Sequence, residues 1–140
     1  MADIVIPSRS ALLGGTELKA AGLIAADTAH TAISMGHSVF TVQMDWTACE
    51  IVSNDELYIV TVEANTEAAT TTWTNIGYLA VLGALEVNAG EGDAPATGSL
   101  RGAFFNPYNH QVRLKTWVNG TIATGINFSA KAYPIESLSY

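Results

Sequence analysis

Hydrophobic and polar positions alternate along most of the chain after residue 37, and a period of two predicts strands. In Ser38–Trp46, Phe40, Val42, Met44 and Trp46 fall on one face and Val39, Thr41, Gln43 and Asp45 on the other, so the first set is the expected core face. Leu57–Ala64 follows the turn-forming cluster Ser53-Asn54-Asp55-Glu56 and is rich in β-branched and aromatic residues, which favour strands. Trp73–Leu82 predicts another strand, with Gly77 as a bulge, Gly83 as a closing bend and Leu85-Glu86-Val87 as a continuation. Leu100–Phe105 is strand-like and ends at the turn Asn106-Pro107-Tyr108-Asn109. In Gln111–Val118 the residues Val112, Leu114, Thr116 and Val118 share one face, while Arg113, Lys115 and Trp117 share the other. Asn119-Gly120 is a strong signal for a tight turn, which predicts a hairpin between 111–118 and 121–133, with Gly125 as a bulge and Pro134 as the stop. In its second arm Ile126, Phe128, Ala130 and Ala132 fall on one face.

The first 36 residues lack this pattern. Gly14-Gly15, Gly22 and Gly36 interrupt Ala-rich stretches, and Leu12, Leu13, Leu18, Leu23 and Ile24 keep no sustained period. The segment reads as an extended arm with at most one short helix, from Thr16 as N-cap through Ala21, closed by Gly22. Such an arm lies either on its own core or on a neighbour. Residues 88–98 contain no large apolar side chain and read as the longest exposed loop. Six or so strands separated by turn signals, with hardly any helix, predict an all-β fold: an antiparallel β-sandwich of jelly-roll or Greek-key type over residues 37–140, preceded by the arm of residues 1–36. A closed barrel is the alternative architecture.

Composition narrows the function. The chain of 140 residues is 49% hydrophobic but only 14% charged, against about 25% charged in an ordinary soluble domain. It is too apolar for disorder, and no stretch reads as a membrane span. A surface poor in charge costs little to desolvate, which suits a protein that packs against other chains. The net charge of −7 disfavours nucleic acid as a partner, because phosphate neutralisation needs clustered Lys and Arg. Residues 1–99 hold twelve acids against Arg9 and Lys19, whereas residues 100–140 hold four bases against Glu136. Segments of opposite sign invite pairing, within the domain or between chains.

Candidate chemistry is sparse. Cys49 is the single cysteine and reads as a buried structural thiol. His30 and His37 stand seven apart, which is not the spacing of a helical zinc pair. No nucleophile elbow, phosphate loop or Cys-x-x-Cys is present, and the N-terminus has no secretory pattern, so no cofactor and no metal is expected and the cytoplasm is the default site of synthesis. Carboxylate pairs among Asp55, Glu56, Glu63 and Glu67 are the remaining enzymatic option, weighed against plain solvation at strand ends. Trp46, Trp73, Trp117 and Tyr58 offer a sugar-stacking platform, against a reading in which Trp46 and Trp73 anchor the core with their indole N–H groups satisfied at its edge.

The arm with Ile4-Val5-Ile6-Pro7, the all-β body, and the stretch Gly98-Ser99-Leu100-Arg101-Gly102-Ala103-Phe104-Phe105-Asn106-Pro107 through Tyr133-Pro134 together resemble small virion proteins of tailed bacteriophages, particularly capsid decoration (cement) proteins. That resemblance is one of size, composition and layout. It implies a non-enzymatic protein on the outer capsid surface of the virion that binds the major capsid protein and itself, commonly as a homotrimer, with neither nucleic acid nor membrane as partner. The residues expected to contact partners are Ile4, Ile6, Pro7, Leu12 and Leu13 in the arm and Arg113, Lys115 and Trp117 on the basic strand face. A carbohydrate-binding sandwich and a self-assembling coat or tail subunit are the alternatives.

Overall fold

The computed structural model of the chain describes residues 15–35, 39–65, 72–84, 94–108 and 110–134. Among these residues the regular structure is all strand: β1 (Thr16–Lys19), β2 (Leu23–Ile24), β3 (Thr28–Ala29), β4 (Ile33–Ser34), β5 (Val39–Cys49), β6 (Leu57–Asn65), β7 (Trp73–Gly83), β8 (Gly98–Phe105), β9 (Gln111–Asn119) and β10 (Ile126–Pro134). β1 and β2 lie end to end along one side of β10, and β3 and β4 do the same along β9. With each pair counted as one interrupted strand, the two sheets run β1/β2–β10–β5–β8 and β3/β4–β9–β6–β7. Every pairing is antiparallel. Apart from β6 and β7, successive long strands lie in opposite sheets, which is the winding of a jelly roll. The expected sandwich is therefore the architecture of the chain, and the closed barrel is not.

Alternation fixes the core. On β5, Phe40, Val42, Met44 and Trp46 are buried, and the outward Val39 and Asp45 are exposed. The opposing layer presents Tyr58, Val60, Val62 and Ala64 from β6 with Val112 and Leu114 from β9, all fully buried. Ile126, Phe128, Ala130 and Ala132 of β10 complete the first sheet's inner face, as their spacing predicts. Burying each large apolar side chain contributes roughly 1.5–3 kcal/mol. The polar ends of the core aromatics are satisfied at its rim. Trp46 Nε1 donates to the Pro95 carbonyl at 2.9 Å, and the Tyr58 hydroxyl donates to the Glu50 carbonyl at 2.8 Å. Gly98 lies opposite Trp46 in the β5–β8 ladder, and a Cβ there would run into the indole.

From Gly15 onward the N-terminal segment is extended and belongs to the sandwich, serving as edge strand to both sheets. The short helix expected over Thr16–Ala21 does not form; Thr16–Lys19 is β1. A helix this short has an unfavourable nucleus, whereas β1 gains ladder bonds to β10 and buries Leu18 in the core. Lys19 at its end is only 8% exposed. Its ammonium donates to the carbonyls of Ala20, Gly22 and Phe128 at 2.9, 3.1 and 2.7 Å and lies 4.4 Å from the Phe128 ring centroid. Burial lowers its pKa, and the three carbonyls are what make the buried charge tolerable. Residues 1–14 lie outside the described residues, as do Leu85-Glu86-Val87 and most of the predicted loop.

The hairpin expected around Asn119-Gly120 is the main correction. β9 belongs to one sheet and β10 to the other, so residues 120–125 cross the sandwich. A tight hairpin turn of that type needs positive φ at both central residues, and here Gly120 has φ 104° while Asn119 remains paired with Leu57 in the ladder. The crossing is held from the β5–β6 connection. The Glu50 carboxylate accepts from the backbone N–H groups of Ala123, Thr124 and Gly125 at 2.7–3.1 Å, and Asp55 accepts from the Thr121 N–H and hydroxyl at 3.0 and 2.7 Å. Those bonds hold both carboxyls below their ordinary pKa, the Gly125 N–H foremost for Glu50 and the Thr121 N–H for Asp55. Gly125, expected as a bulge within a long strand, instead ends the crossing immediately before β10. The bulges of β7 fall on either side of Gly77 rather than at it, where the pairing with β6 skips Ile76 and Leu79.

His30 closes the gap between the sheets near β1. Its Nε2 shares a 2.7 Å hydrogen bond with Thr116 Oγ1, and its ring meets Phe128 edge-on at 5.8 Å. Burial first, and the Lys19 charge second, lower its pKa to about 4.

Two predictions follow from this packing. Gly98→Ala should destabilise the protein by about 1–3 kcal/mol in urea unfolding, because the added methyl meets the Trp46 ring, whereas Gly22→Ala, whose Cβ would have only Lys19 Nζ within 3.9 Å, should change the midpoint little. Below an unfolded pKa near 6.5 the unfolded chain binds a proton at His30 that the folded chain refuses. Stability should therefore fall as pH drops from about 6.5 to 4, by on the order of 2 kcal/mol after allowance for solvent contact. His30→Gln should flatten that limb in urea titrations at stepped pH.

Candidate functional face of the second sheet

The outward residues of β6, β7 and β9 form cross-strand rows on the second sheet. Val81, Ile59 and Trp117 make one row, and Tyr78, Thr61 and Lys115 the next. Asn75, Glu63 and Arg113 follow, then Trp73 and Asn65. On the central strand β6 the outward Thr61, Glu63 and Asn65 are buried although they are polar. Side chains of β9 bond to all three, Trp117 to Thr61, Arg113 to Glu63 and Gln111 to Asn65. Tyr78, Val81 and Trp117 stand out of this face at 66%, 42% and 39% exposure.

Electrostatics tie the rows together. Arg113 Nε donates to Glu63 Oε1 at 2.8 Å, an ion pair whose side chains are 22% and 10% exposed. The guanidinium carbon also lies 4.1 Å from the Trp73 ring centroid, and Lys115 Nζ lies 3.8 Å from that of Trp117. Cation–π contacts at partly exposed sites contribute roughly 0.5–1 kcal/mol each. Trp117 Nε1 donates to Thr61 Oγ1 at 3.1 Å, which fixes the indole against β6. Thus the basic strand, placed by the sequence in a segment of opposite charge to the rest, pairs with an acid of its own domain.

The first sheet's outward face is of another kind. Its strands present Glu17 and Lys131, then Gln43, Arg101, Asp45 and Ser99 across paired positions. Arg101 Nε donates to Gln43 Oε1 at 3.1 Å, Gln43 donates to Asp45 Oδ1 at 3.2 Å, and the Ser99 hydroxyl donates to the same oxygen. That face is a polar lattice, with Val39 and Phe105 exposed at one end. Exposed aromatic and aliphatic side chains occur on both sheets, at Leu23, Val39 and Phe105 along the periphery of the first and at Tyr78, Val81 and Trp117 on neighbouring rows across the second.

The structure brings Arg113, Lys115 and Trp117 together on one face, as their alternation predicts. Ile4, Ile6, Pro7, Leu12 and Leu13 lie outside the described residues. The four-residue sugar platform does not assemble, because Trp46 and Tyr58 are in the core. Trp73 is not the core anchor it was paired with Trp46 to be; it lies outward against Arg113. Its neighbours Tyr78 and Val81 were missed from sequence because the two bulges of β7 break the alternation that would have put them on one face. Cys49 is half-buried, and burial first, then the Glu56 charge, push its thiol up to about 11, so it is no nucleophile at neutral pH. Among the described residues no group of three or more His, Cys, Asp or Glu could hold a metal ion. Neither the known protein-family profiles nor the curated protein sequences contain a match to this chain.

Arg113→Ala should leave the Glu63 carboxylate largely buried and unpaired, and should destabilise the fold by about 2–3 kcal/mol in urea unfolding. The double variant Arg113→Met with Glu63→Gln should recover most of that loss, since the uncompensated charge is gone.

Proposed function

We propose that this chain is a non-enzymatic structural protein of a tailed-phage virion, which binds the outer surface of the capsid and bridges subunits of the major capsid protein, as a homotrimer. The observation that carries this reading is the apolar surface across the second sheet, where Tyr78, Val81 and Trp117 stand on neighbouring rows beside basic side chains. Contiguous apolar surface of this kind marks interaction sites on folded proteins. The acidic net charge suits an outer surface better than a wall facing the genome. Residues 1–14, with Ile4, Ile6, Pro7, Leu12 and Leu13, would supply a second contact; they precede β1, which sits at the first sheet's edge.

The mechanism is mass action. A protein that binds only the assembled lattice stabilises it at each site by RT ln(1 + [L]/Kd), about 2.7 kcal/mol at a hundredfold excess over Kd. Repeated weak contacts on a lattice then gain through multivalency.

The test is co-sedimentation of the purified protein with expanded capsid shells. Wild type should pellet with the shells, and Tyr78→Ala combined with Lys115→Glu should weaken binding by at least about tenfold while keeping a cooperative unfolding transition. Undiminished pelleting of the double variant would remove this face from the interface, and failure of wild type to pellet would remove the reading itself.

A further inference from the structure

At the end of the second sheet where β9 leaves the ladder, the outward face runs into a groove. A first cavity of about 370 Å³ is lined by Asp27, Leu57, Ile59, Trp117, Val118 and Asn119. A second, of about 550 Å³, shares Asp27, Val118 and Asn119 with the first and continues past Gly120 and Ile122. Volumes of this order are those of small-ligand sites, roughly 300–1,000 Å³.

The lining has a definite chemistry. Lys115 covers the Trp117 indole from the middle of β9, and the groove lies on the Asn119 side of that ring, with Lys115 not among its walls. Leu57 and Ile59 add an apolar floor. Asp27 Oδ1 accepts from the Val118 N–H at 2.8 Å, which orients the carboxylate and leaves Oδ2 as an acceptor. Asn119 Oδ1 accepts from the Gly120 N–H at 2.8 Å, which leaves the Nδ2 amide as a donor. Among the described residues neither Asp27 Oδ2 nor Asn119 Nδ2 is engaged in a hydrogen bond.

An aromatic wall beside an oriented acceptor and an oriented donor complements a pyranose ring, which carries an apolar C–H face and hydroxyls able both to donate and to accept. We propose that this groove is a binding site for a neutral saccharide, stacked on Trp117 and held at its hydroxyls by Asp27 and Asn119. Anionic sugars are disfavoured because the Asp27 carboxylate faces the ligand. The site goes beyond the capsid-binding reading, and because the groove shares Trp117 with that proposed surface, a sugar and a capsid partner would compete for the ring.

Titration of the 15N-labelled protein with disaccharides of glucose, galactose, mannose and N-acetylglucosamine tests the proposal. At least one sugar should shift the Trp117 indole N–H and the Asn119 side-chain amide, with Kd on the order of 1 mM. Trp117→Ala and Asp27→Asn should each weaken binding at least about tenfold while the amide spectrum stays dispersed, the second because Asn keeps an acceptor for the Val118 N–H. Lys131→Ala, on the outward face of the first sheet away from the groove, should change binding by less than about threefold. No shift with any of these sugars at about 20 mM, or binding that survives both substitutions, overturns the proposal.

Discussion

The burial of the inner rows of β5 and β6 against the same core layer is the constraint on which the rest of the molecule depends. Phe40, Val42, Met44 and Trp46 come from one sheet and Tyr58, Val60, Val62 and Ala64 from the other. These two strands are consecutive in the chain yet never hydrogen-bond to each other, so each must find its ladder partners elsewhere: β10 and β8 for β5, β9 and β7 for β6. That requirement sets the winding. It also explains why chain crossings at one end are stitched by carboxylates of the β5–β6 connection, since a crossing has no ladder to satisfy its N–H groups and Glu50 and Asp55 accept those bonds instead.

The same winding decides what faces outward. With β6 in the middle of its sheet, its outward polar residues are bonded by Trp117, Arg113 and Gln111 of β9, and Tyr78, Val81 and Trp117 stand exposed around them. The first sheet fills the middle of its outward face with polar side chains that bond along and across strands, and its exposed apolar residues Leu23, Val39 and Phe105 lie at its edge and one end. Lys19 and His30 then close the side of the sandwich near β1, one held as a cation by three carbonyls and the other held neutral by burial.

Strand existence and facing were legible wherever one face is buried and the other wet. β9, β10 and β5 as far as Trp46 show this directly, because a single register of alternation survives along each; beyond Trp46 the pairing of β5 with β10 skips Thr47. β7 was legible as a strand but not in its facing, since two extra residues shift the phase between Trp73 and Val81. The first two lanes of the sandwich were not legible as strands at all. β1 to β4 are two to four residues long, too short to carry a period, and are specified by the edges of β10 and β9 that they pair with. Asn119-Gly120 misled for a related reason: a dipeptide reports a local turn, and which sheet receives the next strand is set by tertiary pairing. Of the candidate face, the basic row on β9 was readable, whereas its acidic partner Glu63 and the Asp27–Asn119 groove depend on strands brought together from far apart in sequence.

The central claim is that the outward face of the second sheet, and not that of the first, is the surface committed to a partner. Amide hydrogen exchange on the protein free in solution and bound to expanded capsid shells addresses it directly. The account predicts that binding adds protection along β7 and β9 while the amides of β8 and β10 exchange as in the free protein. Protection gained on β8 and β10, with β7 and β9 unchanged, would contradict it.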